Sequence, residues 1–348
     1  MTSEAGGMRM SGRRALVMGA SGFLGSHVTR RLVQRGDDVR VLLRETSRTR
    51  GIDDLDVDRR YGDIFDDEVV RAAMADRDVV YYCVVDTRAW RSDPAPLFRT
   101  NVDGLRRVLD IAAEADLHRF VFTSTIGTIA VGTSGRPATE DTPFNWAGKG
   151  GPYIASRRQA EELTLDYART GRVPAVAMCV SNTYGPGDWV PTPHGALVAA
   201  VATGKMSFYI RGVGAEVVGI EDAAEAMLLA GEHGRIGERY IVSERYLTQR
   251  AVFDIAAGAV GVDPPRFGVP LPLIYGFGAG ATVVGRVRGR DHRLNLNSVR
   301  LLHLTSPLDH SKATTELGWQ PAPAPEAIRR AAQFFVERRR RHRAAAGR

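Results

Sequence analysis

The stretch Gly19-Ala-Ser-Gly22-Phe-Leu-Gly25 decides the fold of this chain. It follows the apolar run Ala15-Leu-Val-Met18 and opens an amphipathic segment at residues 23–34. A strand, a glycine turn and a helix N-terminus in this order can hold a dinucleotide pyrophosphate, because backbone N–H groups and the helix dipole face the negative charge. An ordinary tight turn is the alternative, so the interpretation depends on the elements that come next along the chain.

Strand-like runs and helical patterns alternate after this turn. The strand candidates are residues 15–18, 39–43, 57–61, 79–85, 120–124 and 176–180. The helical patterns between them are residues 23–34, 67–75, 97–115 and 156–170. This alternation predicts an α/β protein with a doubly wound Rossmann sheet, in which parallel strands are covered by helices on both faces.

The composition changes after about Asn182, where glycine and proline become frequent. Helical patterns at 220–231 and 247–260 alternate with loops, and strand candidates at 207–210 and 239–242 could return to the sheet edge. The domains that this pattern predicts are a flexible N-terminus (1–12), a Rossmann dinucleotide-binding domain (13–181), a smaller interleaved α/β substrate lobe (182–336) and a basic tail (337–348). Ligands are expected in the crevice outside the carboxyl ends of the strands.

The overall composition is that of an ordinary globular protein, with 348 residues, 44% hydrophobic and 25% charged. Cys83 and Cys179 are the two cysteines, and both lie in apolar strand-like runs. A disulfide scaffold or a cysteine-rich metal site is therefore not expected, and we expect no metal at all. The polar N-terminal residues contain no apolar core of signal-peptide length, so the expected location is the cytoplasm.

Two segments bear on the choice of partners. The net charge is +7, but six arginines fall in the last eleven residues, which indicates a solvated helix end rather than a nucleic-acid surface. Attraction of this tail to acidic lipid or nucleic acid is the alternative.

Residues 268–285 contain no charged side chain and are interrupted by proline and glycine. They predict a substrate-lobe helix or pocket lid, with a weak monotopic membrane contact as the alternative.

Several motifs resemble the extended short-chain dehydrogenase/reductase superfamily, over roughly residues 13 to 336. The matching pieces are Gly19/Gly22/Gly25, Gly62-Asp63-Ile64, Asn101-Val-Asp-Gly104, Phe122-Thr-Ser-Thr125, Tyr153 with Ser156, Tyr184-Gly-Pro186, and Asp309-His-Ser-Lys312 with Glu316-Leu-Gly-Trp319. Asp86-Thr-Arg-Ala-Trp90 and Gly234-Arg-Ile-Gly-Glu-Arg-Tyr240 are similar to segments of dihydroflavonol-reductase-like enzymes and of the hopanoid-associated sugar epimerase group. The resemblance implies NAD(P)-dependent chemistry on a small molecule.

The resemblance assigns catalysis to Tyr153, Thr125 and Arg157. Hydride transfer to a carbonyl needs a proton donor beside the oxygen, and a tyrosine suits this role if a nearby cation lowers its pKa. Thr125 would donate a hydrogen bond to the same oxygen. Arg157 stands where the family has a lysine that binds the nicotinamide ribose. Arginine keeps the charge, but its planar fork is not interchangeable with an ammonium group.

Cofactor choice is predicted from the end of the second strand, where Arg44 and Arg48 replace the acidic residue common at NAD sites. Guanidinium groups pair with a 2′-phosphate, so NADP(H) is predicted rather than NAD(H); two solvated loop arginines are the alternative. The predicted cofactor contacts are Gly19, Ser21, Gly22, Phe23, Leu24, Gly25, Arg44, Arg48, Asp63, Ile64, Cys83, Val84, Val85, Thr123, Ser124, Tyr153, Arg157, Val180 and Asn182.

The absence of a phosphate-binding arginine argues against a substrate that carries a diphosphate. Nucleotide-sugar epimerases of the superfamily carry a phosphate-binding arginine where this chain has Ala215, and a histidine where it has Gly219. The predicted substrate residues are Asp86, Arg88, Trp90, Thr125, Tyr184, Trp189 and His194.

Three hypotheses arise from these residues. The first is an NADP(H)-dependent oxidoreductase acting on an apolar ring-containing molecule of steroid, terpenoid or flavonoid type. The second is an NAD-dependent sugar epimerase or dehydratase, and the third is a non-catalytic dinucleotide-binding protein. The resemblance also implies that residues 97–115 and 156–170 could form a homodimer, as in family members.

Overall fold

The computed structural model describes residues 12–91, 93–132, 135–288, 296–302 and 305–346. Most of the predicted flexible N-terminus and the last two residues of the basic tail lie outside the described residues. The strands are β1 Arg14–Met18, β2 Asp38–Leu43, β3 Asp58–Tyr61, β4 Val79–Tyr82, β5 Arg119–Thr125, β6 Ala175–Val180, β7 Asn182–Tyr184, β8 Phe208–Ile210, β9 Gly214–Gly219, β10 Arg239–Val242, β11 Arg245–Thr248 and β12 Phe267–Val269.

The helices alternate with these strands. Their bounds are α1 Phe23–Arg35, α2 Asp67–Met74, α3 Ala95–Phe98, α4 Leu105–Ala112, α5 Gly151–Arg169, α6 Pro193–Ala202, α7 Ile220–His233, α8 Gln249–Gly258, α9 Leu271–Arg288, α10 Leu296–Leu301, α11 Ser311–Leu317 and α12 Ala324–Ala346. A π-helical turn, Arg99–Gly104, joins α3 to α4, and a 3-10 turn, Ile126–Thr128, follows β5.

The central sheet has seven strands in the order β3-β2-β1-β4-β5-β6-β10, and every pairing in it is parallel. β4 and β6 are buried along their whole length, as expected of apolar strands covered on both faces. The strand order reverses between β1 and β4, which opens a crevice at their carboxyl ends. The predicted doubly wound Rossmann α/β fold is confirmed.

Two apolar layers cover the sheet. On one face, Val28 and Leu32 of α1 pack with Met227 of α7 against the sheet. On the other face, Leu105 and Leu109 of α4 pack with Leu163 of α5. Because α7 comes from the second half of the chain, the two halves of the chain are interleaved on this face of the sheet.

The second lobe has its own core, built from α6, α8 and α12 around the small sheet β11-β9-β7. Of the two strand candidates expected at the sheet edge, only Arg239–Val242 lies there, as β10. β8 instead pairs with β12 in a separate two-stranded sheet. α9 packs on this ribbon through Ile274, which shares a small core with Ile210 and Val299.

The boundaries differ from the sequence prediction near the crevice. α5 begins at Gly151, five residues before the predicted start at 156, because Pro152 suits the first turn of a helix. β4 ends at Tyr82, so residues 83–85 form the loop that leaves the sheet. The predicted helix 97–115 is interrupted by the π-helical turn at 99–104.

Candidate active site

The glycine turn lies at the carboxyl end of β1. Gly19 has φ +87°, and a Cβ there would stand 2.8 Å from the backbone carbonyl of Cys83. A Cβ on Gly25 would stand 2.2 Å from the oxygen of Gly19, so both positions require glycine. The Gly22 N–H donates to the Gly19 oxygen at 3.0 Å, which closes the turn.

The N-terminus of α1 is open to an anion. No side chain caps it and its first turn has no acidic residue, so its N–H groups keep their capacity to donate. Ser21, Phe23 and Leu24 surround this end and are half-buried, and the Phe23 ring meets the His27 ring edge-on with 5.4 Å between the centroids. These features fit a dinucleotide pyrophosphate.

The two predicted phosphate-binding arginines follow β2, which is paired with β1. Arg44 and Arg48 are exposed, and neither forms an ion pair with another described residue. The Arg44 N–H donates to Ser47 Oγ at 3.0 Å, and the Ser47 N–H donates to the Arg44 oxygen at 2.8 Å. This compact turn leaves both guanidinium groups free to pair with a phosphate.

Asp63 and Ile64, two of the predicted cofactor contacts, follow β3. Asp63 is exposed, and its Oδ1 accepts from the Phe65 N–H at 3.1 Å. Ile64 Cδ1 would stand 2.5 Å from a Cβ on Gly104, so this glycine allows the side chain to pack on the π-helical turn.

Tyr153 lies in the first turn of α5. It is half-buried, and its hydroxyl has no hydrogen-bond partner among the described residues. Burial raises the pKa of Tyr153, the nearby Arg157 cation acts to lower it, and Asp86 acts to raise it. Because the net direction is upward, the phenol is protonated at neutral pH and can donate a proton.

Thr125 ends β5 and begins the 3-10 turn. Its Oγ1 accepts from the Gly127 N–H at 3.2 Å, and its backbone oxygen accepts from Thr128 Oγ1 at 2.7 Å. The side chain is half-buried at the carboxyl end of the sheet. Thr125 is thus held at the carboxyl end of β5, and its catalytic role remains a prediction.

Arg157 is almost sealed from solvent, with 1% exposure. Its Nη2 donates to the Thr123 oxygen, and its guanidinium carbon lies 5.0 Å from the Phe122 ring centroid. Its Nε and Nη1 are buried without a hydrogen-bond partner in the described structure, as is the hydroxyl of Tyr82. In this conformation Arg157 acts on Tyr153 through its charge, and the contact with the nicotinamide ribose remains a prediction.

Asn101, which the sequence analysis did not include in the site, connects the loop after β4 to α5. Its Oδ1 accepts from the Asp86 N–H at 2.8 Å, and its Nδ2 donates to the Asp86 oxygen and to Ser156 Oγ, both at 3.1 Å. Ser156 Oγ in turn donates to the Tyr153 oxygen at 2.8 Å. The signal was the motif at 101–104, whose asparagine was not given a role.

Glu161 is a second missed residue and the centre of a buried network. Its carboxylate accepts from Cys179 Sγ at 3.2 Å and from the hydroxyl of Ser124, and it lies 2.7 Å from Thr128 Oγ1. Arg239 Nη1 of β10 donates to it at 2.9 Å. The Ser124 hydroxyl therefore faces α5 rather than the crevice.

The other predicted cofactor contacts lie at the ends of β4, β5 and β6. Thr123 Oγ1 donates to Cys83 Sγ at 3.3 Å, and burial raises the pKa of the Cys83 thiol to about 11. Val84 is partly buried, whereas Val85 is exposed at the loop. Val180 is buried at the end of β6, and Asn182 begins β7 half-buried.

The predicted substrate residues separate into two groups. Asp86 and Arg88 bind each other, with Arg88 Nε 2.8 Å from Asp86 Oδ1. Burial acts to raise the pKa of Asp86, but the hydrogen bonds from Arg88 give a net lowering. Arg88 and Asp86, whose charge acts on Tyr153, make up the first group; Trp90 and Thr125 are half-buried.

The second group lies in the second lobe. Tyr184 belongs to its apolar core, and its ring centroid is 6.5 Å from that of His194. Trp189 packs edge-on against Phe334 of α12 at 4.9 Å and under the Arg50 guanidinium at 5.1 Å. Structural packing accounts for these contacts, and the substrate roles of all three residues remain predictions.

A cavity of ≈ 540 Å³ lies at the other end of β10, lined by Glu140, Glu238, Lys312, Glu316 and neighbouring residues. Lys312 Nζ donates to Glu238 at 2.6 Å, and Arg235 pairs with Glu316 at 2.7 Å. These charges satisfy one another, and no predicted site residue lines the cavity. Among the described residues there is also no cluster of side chains suited to a metal ion.

Comparisons with known proteins identify the family of this chain and its relatives. The model of the NAD dependent epimerase/dehydratase family matches residues 15–243. The chain is 28% identical over 323 residues to a putative dihydroflavonol 4-reductase of Synechocystis sp., which covers 92% of this chain and 93% of that protein. It is 30% identical over 327 residues to sterol demethylase protein B of Methylococcus capsulatus, covering 93% and 98%.

A solved structure extends the likeness to the whole fold. The crystal structure of gox2253 superposes with a TM-score of 0.82 at 30% identity, covering 93% of this chain and 98% of that one. The likeness therefore includes the second lobe as well as the sheet.

Proposed function

This chain belongs to the NAD dependent epimerase/dehydratase family, and from that premise we propose that it uses NADP(H) to interconvert a carbonyl and a secondary alcohol. It is an NAD(P)-dependent dehydrogenase or reductase of the extended short-chain type. The substrate in this proposal is an apolar, ring-containing molecule of steroid, terpenoid or flavonoid type. The observation that carries it is the half-buried Tyr153, whose hydroxyl has no partner among the described residues and lies under the influence of the Arg157 cation.

The cofactor would be held by the glycine turn and by the arginines after β2. The pyrophosphate would meet the N–H groups of α1, and a 2′-phosphate would meet the unpaired guanidinium groups of Arg44 and Arg48. When bound, the nicotinamide supplies or accepts the hydride.

The protein's own part is the movement of one proton. In the reduction, the carbonyl oxygen gains a proton from the Tyr153 hydroxyl while the carbonyl carbon gains the hydride. Thr125 donates a hydrogen bond to the same oxygen. Arg157 stabilises the phenolate that remains, since its buried positive charge is not screened by water. The oxidation follows the same path in reverse.

The substrate class is supported by the residues around Tyr153 and by the relatives. Asp86 already pairs with Arg88, which leaves little free positive charge for a diphosphate on this side. Ala215 lies in β9, in register with Leu247, where a nucleotide-sugar enzyme would carry its arginine. One relative is named for a flavonoid substrate and another for sterols.

The second candidate is a sugar epimerase or dehydratase that retains NAD(H), which the name of the family itself supports. The experiment that separates the candidates is a thermal-shift titration with NADP(H) and NAD(H), followed by turnover assays. Ligands that bind the native state raise the melting temperature by mass action. Exchangeable NADP(H) supports the reductase, whereas copurified NAD(H) with turnover of nucleotide sugars supports the alternative.

The role of Tyr153 is tested by Tyr153→Phe, which removes only the hydroxyl. We expect the turnover of a carbonyl substrate to fall by about 10²–10⁴-fold with cofactor affinity retained, because general acid catalysis typically contributes that much. Phe substitution of exposed Tyr61 on β3 is the matched control and is expected to leave turnover unchanged. Full turnover in the Tyr153 variant would remove this residue from the mechanism.

A further inference from the structure

α9 carries an exposed apolar face. Leu273, Phe277 and Val284 are exposed, and Phe277 is 67% exposed. Spacings of four and seven residues place these side chains on one side of the helix. Ile274 lies about 100° around the helix from Leu273 and is buried against Ile210 and Val299. The helix is thus anchored by one side and presents the other to solvent.

The exposed apolar surface continues onto the β8–β12 ribbon. Phe267 is 70% exposed and lies in register with exposed Phe208. Since α9 follows β12 after one residue and packs on β8, these phenylalanines border the helix. We call the set Phe208, Phe267, Leu273, Phe277 and Val284 the α9 face. Large apolar side chains grouped in this way mark an interaction surface.

Basic residues outnumber acidic ones in the sequence that contains α9. Residues 264–308 contain six arginines and a single acidic residue, Asp291. Arg288 at the end of α9 and Arg300 on α10 are exposed, and neither forms an ion pair with a described residue. An apolar strip bordered by unpaired arginines matches the interface of a bilayer that contains anionic lipid.

The length, composition and packing of α9 limit how deeply it can enter a bilayer. Within the described residues, no helix has both the length and the apolar character needed to cross a membrane. The buried side of α9 is already occupied by its own core. The helix can therefore lie along the membrane surface but cannot leave the protein to span it.

We propose that the α9 face docks on the surface of an anionic lipid bilayer. α10, which packs beside α9, also touches the first turn of the catalytic helix: Asn297 Oδ1 would stand 3.3 Å from a Cβ on Gly151, two residues before Tyr153. α10 thus connects α9 to the helix that carries Tyr153. Docking does not depend on the proposed reaction; delivery of an apolar substrate from the bilayer to Tyr153 does rest on it.

The test is flotation of the purified full-length protein with vesicles of phosphatidylcholine, with or without phosphatidylglycerol. We expect binding to the vesicles that contain phosphatidylglycerol and little to the pure phosphatidylcholine ones. The double variant Leu273→Ser/Phe277→Ser should weaken partitioning by roughly tenfold or more, given the apolar area removed. Ile236→Ser is the matched control, since Ile236 is 53% exposed in the turn before β10, outside the α9 face.

Two further measurements distinguish docking through the α9 face from attraction through the basic tail. Neutralising Arg340, Arg341 and Arg343 in the tail should leave most of the binding, whereas loss of binding there with retention in the double variant would overturn the proposal. A Phe277→Trp variant should be quenched by brominated lipid in anionic vesicles, and an unquenched tryptophan would also overturn it.

A second copy of the chain is the competing occupant. If light scattering shows a dimer that the double variant dissociates, and vesicles do not compete with it, the α9 face is a dimer interface and the proposal fails. Melting temperature with saturating cofactor is measured for each variant, so that loss of vesicle binding is compared only between folded proteins.

Discussion

At the residue scale, Arg157 is the main departure from the family pattern, and its surroundings explain how it is tolerated. The guanidinium stacks on Phe122 and donates to the Thr123 oxygen. These two contacts with β5 hold a side chain that is longer than lysine. Burial lowers the pKa of Arg157, although an arginine stays charged at any working pH. Its charge is therefore available to the phenol even while its N–H groups remain enclosed.

Arg157→Met tests this electrostatic role. The phenolate of Tyr153 would lose its neighbouring cation, so the pKa of Tyr153 rises further. Reduction needs the protonated phenol, and the basic limb of kcat/KM against pH should therefore move to higher pH while the rate falls. Arg157→Lys is the charge-conserving control and should preserve or increase activity.

The Arg157→Met protein should also keep its melting temperature, because two buried nitrogens without partners are removed. A Met variant identical to the wild type in rate, cofactor affinity and pH profile would show that the charge does not reach Tyr153. The non-catalytic binding hypothesis would then become the better one.

Arg44 is the residue on which the cofactor preference depends. Arg44→Asp should weaken NADP(H) binding by roughly 2–3 kcal/mol, the scale of a hydrogen bond to a charged group, and spare NAD(H). Arg106→Asp on α4 is a control, since Arg106 is exposed and forms no ion pair with a described residue. Isothermal titration with both cofactors measures the change, and a wild type that already prefers NAD(H) would contradict the assignment.

At the element scale, the position of β5 depends on a charge network that joins three elements. Glu161 on α5 accepts from Ser124 at the end of β5 and pairs with Arg239 on β10. Both β5 and α5 carry predicted catalytic residues, Thr125 and Tyr153. The network therefore fixes the distance between the two elements of the site.

Glu161→Ala should lower the free energy of unfolding by about 3–5 kcal/mol, because it leaves a mostly buried arginine without its counter-ion. Glu162→Ala provides the control on the same helix: that residue pairs with Arg158 at the exposed surface, where ion pairs contribute about 0–1 kcal/mol. Urea unfolding at neutral pH measures both. Equal losses in the two variants would mean that the Glu161 pair adds nothing beyond a surface contact.

The elements differ in how far the sequence could predict them. Gly19 and Gly25 were predictable because a glycine turn between a strand and a helix is a local signal. The pair Glu161–Arg239 was not, since its members lie 78 residues apart and meet only when β10 joins the sheet. Tyr184 could not be distinguished from a pocket residue, because core and ligand contacts select the same aromatic types. The enclosure of Arg157 depends on Phe122, which no spacing rule connects to it.

At the scale of the whole molecule, elements from the second half of the chain complete the core on one face of the Rossmann sheet. α7 follows β9 directly, and its apolar side packs with α1 on the Rossmann sheet. Trp319, after α11, is buried in the same core and donates to the Asp222 oxygen of α7 at 2.9 Å. The predicted homodimer through residues 97–115 and 156–170 remains a proposal. The outward side of α5 carries the ion pairs Arg158–Glu162 and Arg169–Asp166.

His27 lies where the lobes meet and gives their contact a pH dependence. Its ring approaches the Pro186 oxygen at 3.0 Å, across the junction between α1 and the segment after β7. Burial lowers the pKa of His27 to about 4, against a smaller opposing effect of the hydrogen bond to Pro186. Between pH 6.5 and about 4 the unfolded chain therefore binds a proton that the native protein does not.

Stability should fall as the pH drops through this window, with a contribution from His27 of about 1.4 kcal/mol per pH unit. His27→Gln removes the titrating group. Between pH 6.5 and 4, the free energy of unfolding of this variant should therefore change less steeply with pH than that of wild type, by the amount just given. A constant difference in stability between the two proteins does not affect this comparison of slopes. Urea unfolding at half-unit pH steps measures the two curves. Parallel curves for wild type and His27→Gln would mean that His27 is also protonated in the native protein. The junction between the lobes would then accommodate a charged imidazole despite its burial.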